Sequence, residues 1–192
     1  RLKFAVKMSG DLALAVKDQD SGQFGLDHVL TVNGADASKV GIERSFNEWL
    51  FRKALPADMV VIYINSRLLK SASGAAIVCA NDTKVEDADK SGINLTELMN
   101  LKSLATSTGV TILSGADIFK PNNENPQYMQ SRFVHYLVEA LKSGGATFPV
   151  AMLAEYVWQK VKQESTEAGG PEQTPVLALA SEQSLTSGIP LG

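Results

Sequence analysis

The chain has 192 residues, 44% of them hydrophobic and 20% charged, which is enough to bury a core and fits one domain of the usual ~100–200 residues. Its 18 basic and 21 acidic residues give a formal charge of -3 with no Lys/Arg run to neutralise successive phosphates, so nucleic acid is not expected as a partner. No apolar segment approaches the ~20 residues of a membrane span, RLKFAVKMSGD is too short and charged for a signal-peptide core, and a lone cysteine, Cys79, excludes an internal disulfide or cysteine-based zinc cluster.

In chain order, LKFAVKM (Leu2–Met8) reads as a first strand, Asp11–Asp18 as a short helix and DHVLTVN (Asp27–Asn33) as a second strand. From Asp36 to Ala54, Ile42, Phe46, Trp49 and Leu50 recur at helical spacing behind a possible cap at Asp36 or Ser38. VVIYI, introduced by Asp58, is a third strand whose tip is Asn65-Ser66-Arg67. GAAIVCAND (Gly74–Asp82) is either a hairpin arm or another strand, and TKVEDADKSG is a polar loop without the spacing or terminal Glu of a calcium loop. Asn94 and Glu97 suit a capping box before LMNL. GVTILSG (Gly109–Gly115) is a further strand, and FKPNNENPQ an exposed loop.

Two helices follow. Phe133, Leu137 and Leu141 form one stripe that stops at Gly144-Gly145; Val150, Leu153, Val157 and Val161 form the next, opened by Thr147 and Pro149. The tail from Ser165 is Gly-, Pro-, Ser- and Thr-rich, and within it PVLALA (Pro175–Ala180) suits an edge strand. Alternating strands and helices predict an α/β protein with a mostly parallel sheet covered by helices.

In this order the segments resemble the caspase-like peptidase fold, in its bacterial caspase-family and metacaspase branch. The stretches that carry the resemblance are "ADASKVGIERSFNEWLFRKALPADMVVIYI", "SGINLTELMNL" and "VTILSGADIFKPNNENPQYMQSRFVHYLVEALKSGGATFPVAMLAEYVWQKVKQ" followed by "GGPEQTPVL". They run from about Ala35 to Leu177, and the family's opening helix looks shortened in the residues before them. The resemblance implies a three-layer α/β/α caspase-like fold with a mostly parallel central sheet over residues 1–180, leaving 181–192 as a tail. Arg1 in place of Met suits a processed protein or a part of a longer one.

Active relatives are cysteine peptidases. A His from a Ser-Gly-His-Gly turn after the third strand assists a Cys from an Asp-x-Cys turn after the next, because a thiolate must form near neutral pH beside a proton acceptor. Setting VVIYINSRL against that pattern puts Arg67 at the His position and Leu68 at the following Gly. A guanidinium, with a pKa above ~12, has no lone pair to take a proton. The nucleophile has two alignments. If GAAIVCAND is the family's hairpin, only Ser103 to Gly109 remain for a Cys-bearing strand, and losing that central strand should open the core unless another segment fills the gap. If AAIVCAND is itself that strand, Asn81 holds the Cys position and Cys79 lies two residues earlier on the same face. The first is preferred because Gly74 and Gly92-Ile93 match better.

The remaining chemistry-bearing residues have plain readings. Cys79 reads as a small buried hydrophobe, His28 and His135 as structural or surface residues, Asp58 as a turn residue, Trp49 and Trp158 as packing residues. No cofactor or metal site is expected. The expectation is therefore a catalytically inactive pseudo-peptidase that acts as a scaffold or protein-interaction module. It would meet protein partners, as a homo- or hetero-oligomer, through the C-terminal edge strand. Its rivals are a regulatory pseudo-enzyme that binds a peptide or an active relative near Arg67, and a degenerate cysteine peptidase that uses Cys79.

Overall fold

The computed structural model describes residues 2–17, 26–56, 58–95, 97, 109–115, 124–144, 150–169 and 172–179. The expected first strand, Leu2–Met8, is instead the entry to a helix, α1 (Ala5–Lys17), which takes in most of the short helix expected from Asp11. Leu2, Phe4, Val6 and Met8 alternate as in a strand, but Phe4, Met8, Leu12 and Ala15 recur at helical spacing, and the longer pattern prevails. Met8, Leu12 and Ala15 are the residues that α1 buries. Its start is closed by a distant side chain: the Glu124 carboxylate accepts the amides of Lys3 and Phe4, both at 2.8 Å. Those are donors that a helix start leaves without partners.

The second expected strand, Asp27–Asn33, is corrected as well. A 3-10 turn, Leu26–His28, leads into residues 29–33, which join no sheet among the described residues. Another 3-10 turn, Gly34–Ala37, precedes Ser38, whose hydroxyl accepts the Gly41 amide at 3.1 Å and starts α2 (Lys39–Arg44). Helical backbone continues through a π-helical stretch, Ser45–Leu50, into α3 (Phe51–Lys53), so the expected helix holds in extent. The Phe51 amide reaches back to the Phe46 carbonyl. The wider turn brings Phe46, Leu50 and Phe51 together onto the core, while Lys53 lies 5.8 Å above the Trp49 ring.

Strand β1 (Met59–Ile64) follows a turn in which the Asp58 carboxylate accepts the Leu55 amide at 2.8 Å. Next come β2 (Leu68–Lys70), β3 (Ala76–Val78), a 3-10 turn at Val85–Asp87, α4 (Ala88–Ser91) and β4 (Ile93–Asn94). The order β2-β3-β4 is a small antiparallel sheet, so GAAIVCAND is a hairpin arm. Gly74 makes this turn possible with φ +90, a value costly for any residue with a Cβ. The Glu97 amide donates to Asn94 Oδ1 at 3.3 Å, as a cap should, although LMNL lies outside the described residues.

Strand β5 (Gly109–Ser114) pairs in parallel with β1, from Met59↔Gly109 to Ile64↔Ser114. The gap expected from a missing central strand is therefore closed: two apolar strands of equal length satisfy each other's backbone groups directly. Within the expected loop at 119–127, residues 119–123 lie outside the described residues, and Glu124–Asn125 is a strand, β6, paired with β7 (Gln130–Ser131). Helices α5 (Arg132–Gly144) and α6 (Val150–Glu167) and then β8 (Val176–Leu179) complete the described chain. β8 runs antiparallel to β5, so the described main sheet, β1-β5-β8, has one parallel and one antiparallel ladder and is not mostly parallel. The cause is local: Gln173 Nε2 donates to the Gly115 carbonyl at 2.6 Å, pinning the start of β8 beside the end of β5.

The sheet lies between two layers. Val61, Tyr63 and Leu113 pack with α1, α5 and α6, where Val134, Val157 and Val161 are fully buried. Burying each such side chain contributes about 1.5–3 kcal/mol. Val60, Ile62 and Ile112 pack on the other side with Phe46, Leu50 and Phe51. This is a mixed α/β architecture with a partly parallel sheet and flanking helices. No helix among the described residues is long and apolar enough to cross a membrane.

Candidate functional site

In an α/β sheet, chemistry gathers beyond the carboxyl ends of parallel strands, which here means the end of β1. Residues Asn65, Ser66 and Arg67 leave that end and connect it to β2. Asn65 Nδ2 turns back toward α1 and donates to Met8 Sδ at 3.2 Å. The Ser66 hydroxyl donates to the Cys79 carbonyl at 2.5 Å, and the Cys79 amide donates to the Arg67 carbonyl at 3.0 Å. The small sheet's ladder thus runs one residue beyond Leu68↔Val78, holding Arg67 opposite Cys79. The Arg67 side chain is exposed.

Cys79 is half-buried and reduced. Burial pushes its thiol up, and the Arg67 charge only partly opposes this. A thiol held that way stays protonated near neutral pH and is a poor nucleophile. Among the described residues Cys79 is hydrogen-bonded to neither histidine. His28 is exposed in its 3-10 turn. His135 lies on α5, stacked on Tyr128 with ring centroids 3.7 Å apart, and its Nε2 is 3.7 Å from Glu139 Oε2. Asn81, the other candidate for the nucleophile position, is in the small-sheet segment and not beside β1. Its amide donates to the Ala37 carbonyl at 2.8 Å, and its side chain donates to the carbonyls of Gly34 and Ala35. It is a strut between the hairpin and the turn before α2. Among the described residues no group of three or more His, Cys, Asp or Glu could hold a metal ion.

A second polar centre escaped the reading of the sequence. Glu164 Oε1 on α6 accepts from Arg132 Nε at 2.9 Å and from Asn125 Nδ2 at 2.8 Å, joining α5, α6 and the β6–β7 hairpin. Burial raises the Glu164 carboxyl, but the donors Asn125, Arg132 and Tyr136, with the Arg132 charge, outweigh it and hold the group below its ordinary value. Burial and the same carboxylate push the Tyr136 phenol up. A pair 32 positions apart, at the start of one helix and near the end of the next, has no local spacing to reveal it.

No family model matches the chain, and no curated protein matches it. Among solved structures it is similar to the crystal structure of caspase-1 from Spodoptera frugiperda, with a TM-score of 0.54 and 13% sequence identity, covering 91% of this chain and 77% of that one. The likeness is one of fold: the mixed α/β arrangement is consistent with a caspase-like fold at low resolution.

Proposed function

We propose that this chain is a degenerate caspase-like domain, of the bacterial caspase-family and metacaspase kind, that works as a scaffold or protein-interaction module and not as a peptidase. One observation carries the reading: at the end of β1, where a catalytic base of that family would stand, the chain presents Arg67, and the nearby Cys79 thiol is held protonated by burial. The guanidinium cannot accept a proton, so the pair cannot generate a thiolate by proton transfer. The fold needs neither residue for its core, which comes from the two apolar clusters on the faces of the sheet.

Association would run through β8, the outer strand of the described sheet, whose far edge no described strand pairs with and which could take up a second copy or a related chain. Light scattering tests this against the 20.6 kDa of one chain. A larger species, or a stable complex with a related chain, supports the reading. A strict monomer that takes up neither sinks it. A thiol-reactive peptide probe tests the peptidase alternative, and saturating label on Cys79 at neutral pH would restore it.

A second reading has its own support. The Arg67 guanidinium is exposed and has no ion-pair partner among the described residues, so it is available to a peptide carboxylate. On that reading Arg67→Ala weakens binding of a peptide or an active relative while leaving the thermal midpoint unchanged.

A further inference from the structure

The opposite edge of the sheet carries a different feature. Among the described residues β1 pairs only with β5, and none of them pairs with its other edge. Beside that edge lies a cleft of about 1960 Å³, lined by every residue from Val60 to Leu69 and, elsewhere on its wall, by every residue from Val29 to Asn33. Residues on both faces of β1 reach the cleft, as happens when a cavity abuts a strand's edge and not one of its faces. The cleft's other walls come from the two layers that sandwich the sheet, with Leu12, Val16 and Leu137 on one side and Ile42, Phe46 and Leu50 on the other, and from the small sheet at Val78 and Ile93. It is a slot within the sheet layer, and it is larger than the roughly 300–1,000 Å³ of small-molecule pockets.

An occupant of such a slot must satisfy backbone donors and acceptors along β1 and be apolar on both faces, as a strand buried between two layers is. The charges constrain it further. Lys3, Lys53 and Arg67 line the cleft, against a single carboxylate, Asp58, which is engaged with the Leu55 amide. The rim is cationic although the chain as a whole carries -3. We propose that the cleft is a strand-acceptor site for one extended, apolar segment of a partner protein with acidic flanks, which adds to the edge of β1 away from β5 by β-augmentation.

This goes beyond association through β8 and is read at the other edge of the sheet, so either proposal can fail alone. The probe is a synthetic peptide with a Val-Thr-Ile-Val-Ile centre and two aspartates at each end. The measurement is residue-resolved amide hydrogen exchange of the full chain with and without it. Alternate amides of β1 slow by roughly tenfold or more with the peptide, while β8 amides do not change. The same peptide with proline at its centre, which removes a ladder donor, gives no slowing. Lys53→Glu weakens binding more than Lys53→Gln, which gives up the same contacts of Nζ with the Trp49 ring and the Asp27 carbonyl but adds no negative charge. No slowing at saturating peptide overturns the proposal. So does slow exchange already present in dilute free chain, which would mean that Val29–Asn33 has closed on β1 itself. Slowing that tracks the chain's own concentration without peptide overturns it too, in favour of a second copy.

Discussion

Tyr63 shows how a single atom can work against the fold that holds it. Its ring stacks on Phe133 with centroids 5.6 Å apart and planes 3° from parallel, yet its buried hydroxyl has no hydrogen-bond partner among the described residues. An unsatisfied buried hydroxyl costs about 1–3 kcal/mol, so Tyr63→Phe is expected to raise stability by roughly 1 kcal/mol, read as a higher urea midpoint at unchanged m-value. Burial also pushes the phenol well above its ordinary value. A folded-state pKa above the unfolded one gives stability that is intact below the unfolded pKa near 10 and lost as pH rises beyond it. The alkaline fall of the thermal midpoint should therefore be shallower in Tyr63→Phe. Glu164 has the opposite sign. Its carboxyl is held below its ordinary value, so its contribution is present above pH ~4.5 and lost as pH falls through the folded pKa. Glu164→Gln should lower stability at pH 7 by about 1–3 kcal/mol and flatten the acid limb; an unchanged acid limb would refute the assignment. The places of Arg67 after β1 and of Cys79 at the end of a hairpin arm were legible at this scale, because each follows a short apolar run with recognisable ends. Glu164 and Arg132 were not, because nothing local marks two residues 32 positions apart as partners.

At the scale of elements, α1 depends on a cap that the sequence order hides. Glu124 accepts both Lys3 and Phe4 amides, and Gln130 of the same hairpin donates to Asp11 at the middle of the helix. Glu124→Ala removes a cap and a carboxylate at a helix start, and should cost about 0.5–2 kcal/mol by urea unfolding, with exchange in the first turn of α1 rising most. Glu124→Gln, which keeps one acceptor, should recover part of that loss. Local signals predicted elements well where they were long and unambiguous. Ser38 caps α2, Asn94 caps the segment at Glu97, and the stripes of α5 and α6 face the core. They failed at Leu2–Met8, where seven residues satisfy two periods and only Leu12 and Ala15 further on break the tie. They also missed Phe51 on the core face, since a π-helical stretch shifts the register in a way that 3.6-residue spacing does not anticipate.

For the whole molecule, the two ends of the described chain share one core. Met8, Leu12 and Ala15 of α1 belong to the same buried cluster as Val134, Leu137, Val157 and Val161 of α5 and α6. A chain beginning at Asp18 would bare that surface, and is expected to lose its cooperative thermal transition and to bind a hydrophobic dye. A retained sharp transition would show that α1 is an appendage. The alternating apolar and amphipathic segments, the turn residues and the absence of a proton acceptor at Arg67 follow from the order of side chains, because conformational preference, periodicity and pKa class are local properties. Pairing is not local. That β1 meets β5 directly, that β8 returns antiparallel, that Val29–Asn33 joins none of the described sheets and that a cationic cleft lies along β1 were decided only when distant segments competed for the same backbone hydrogen bonds and the same apolar surface.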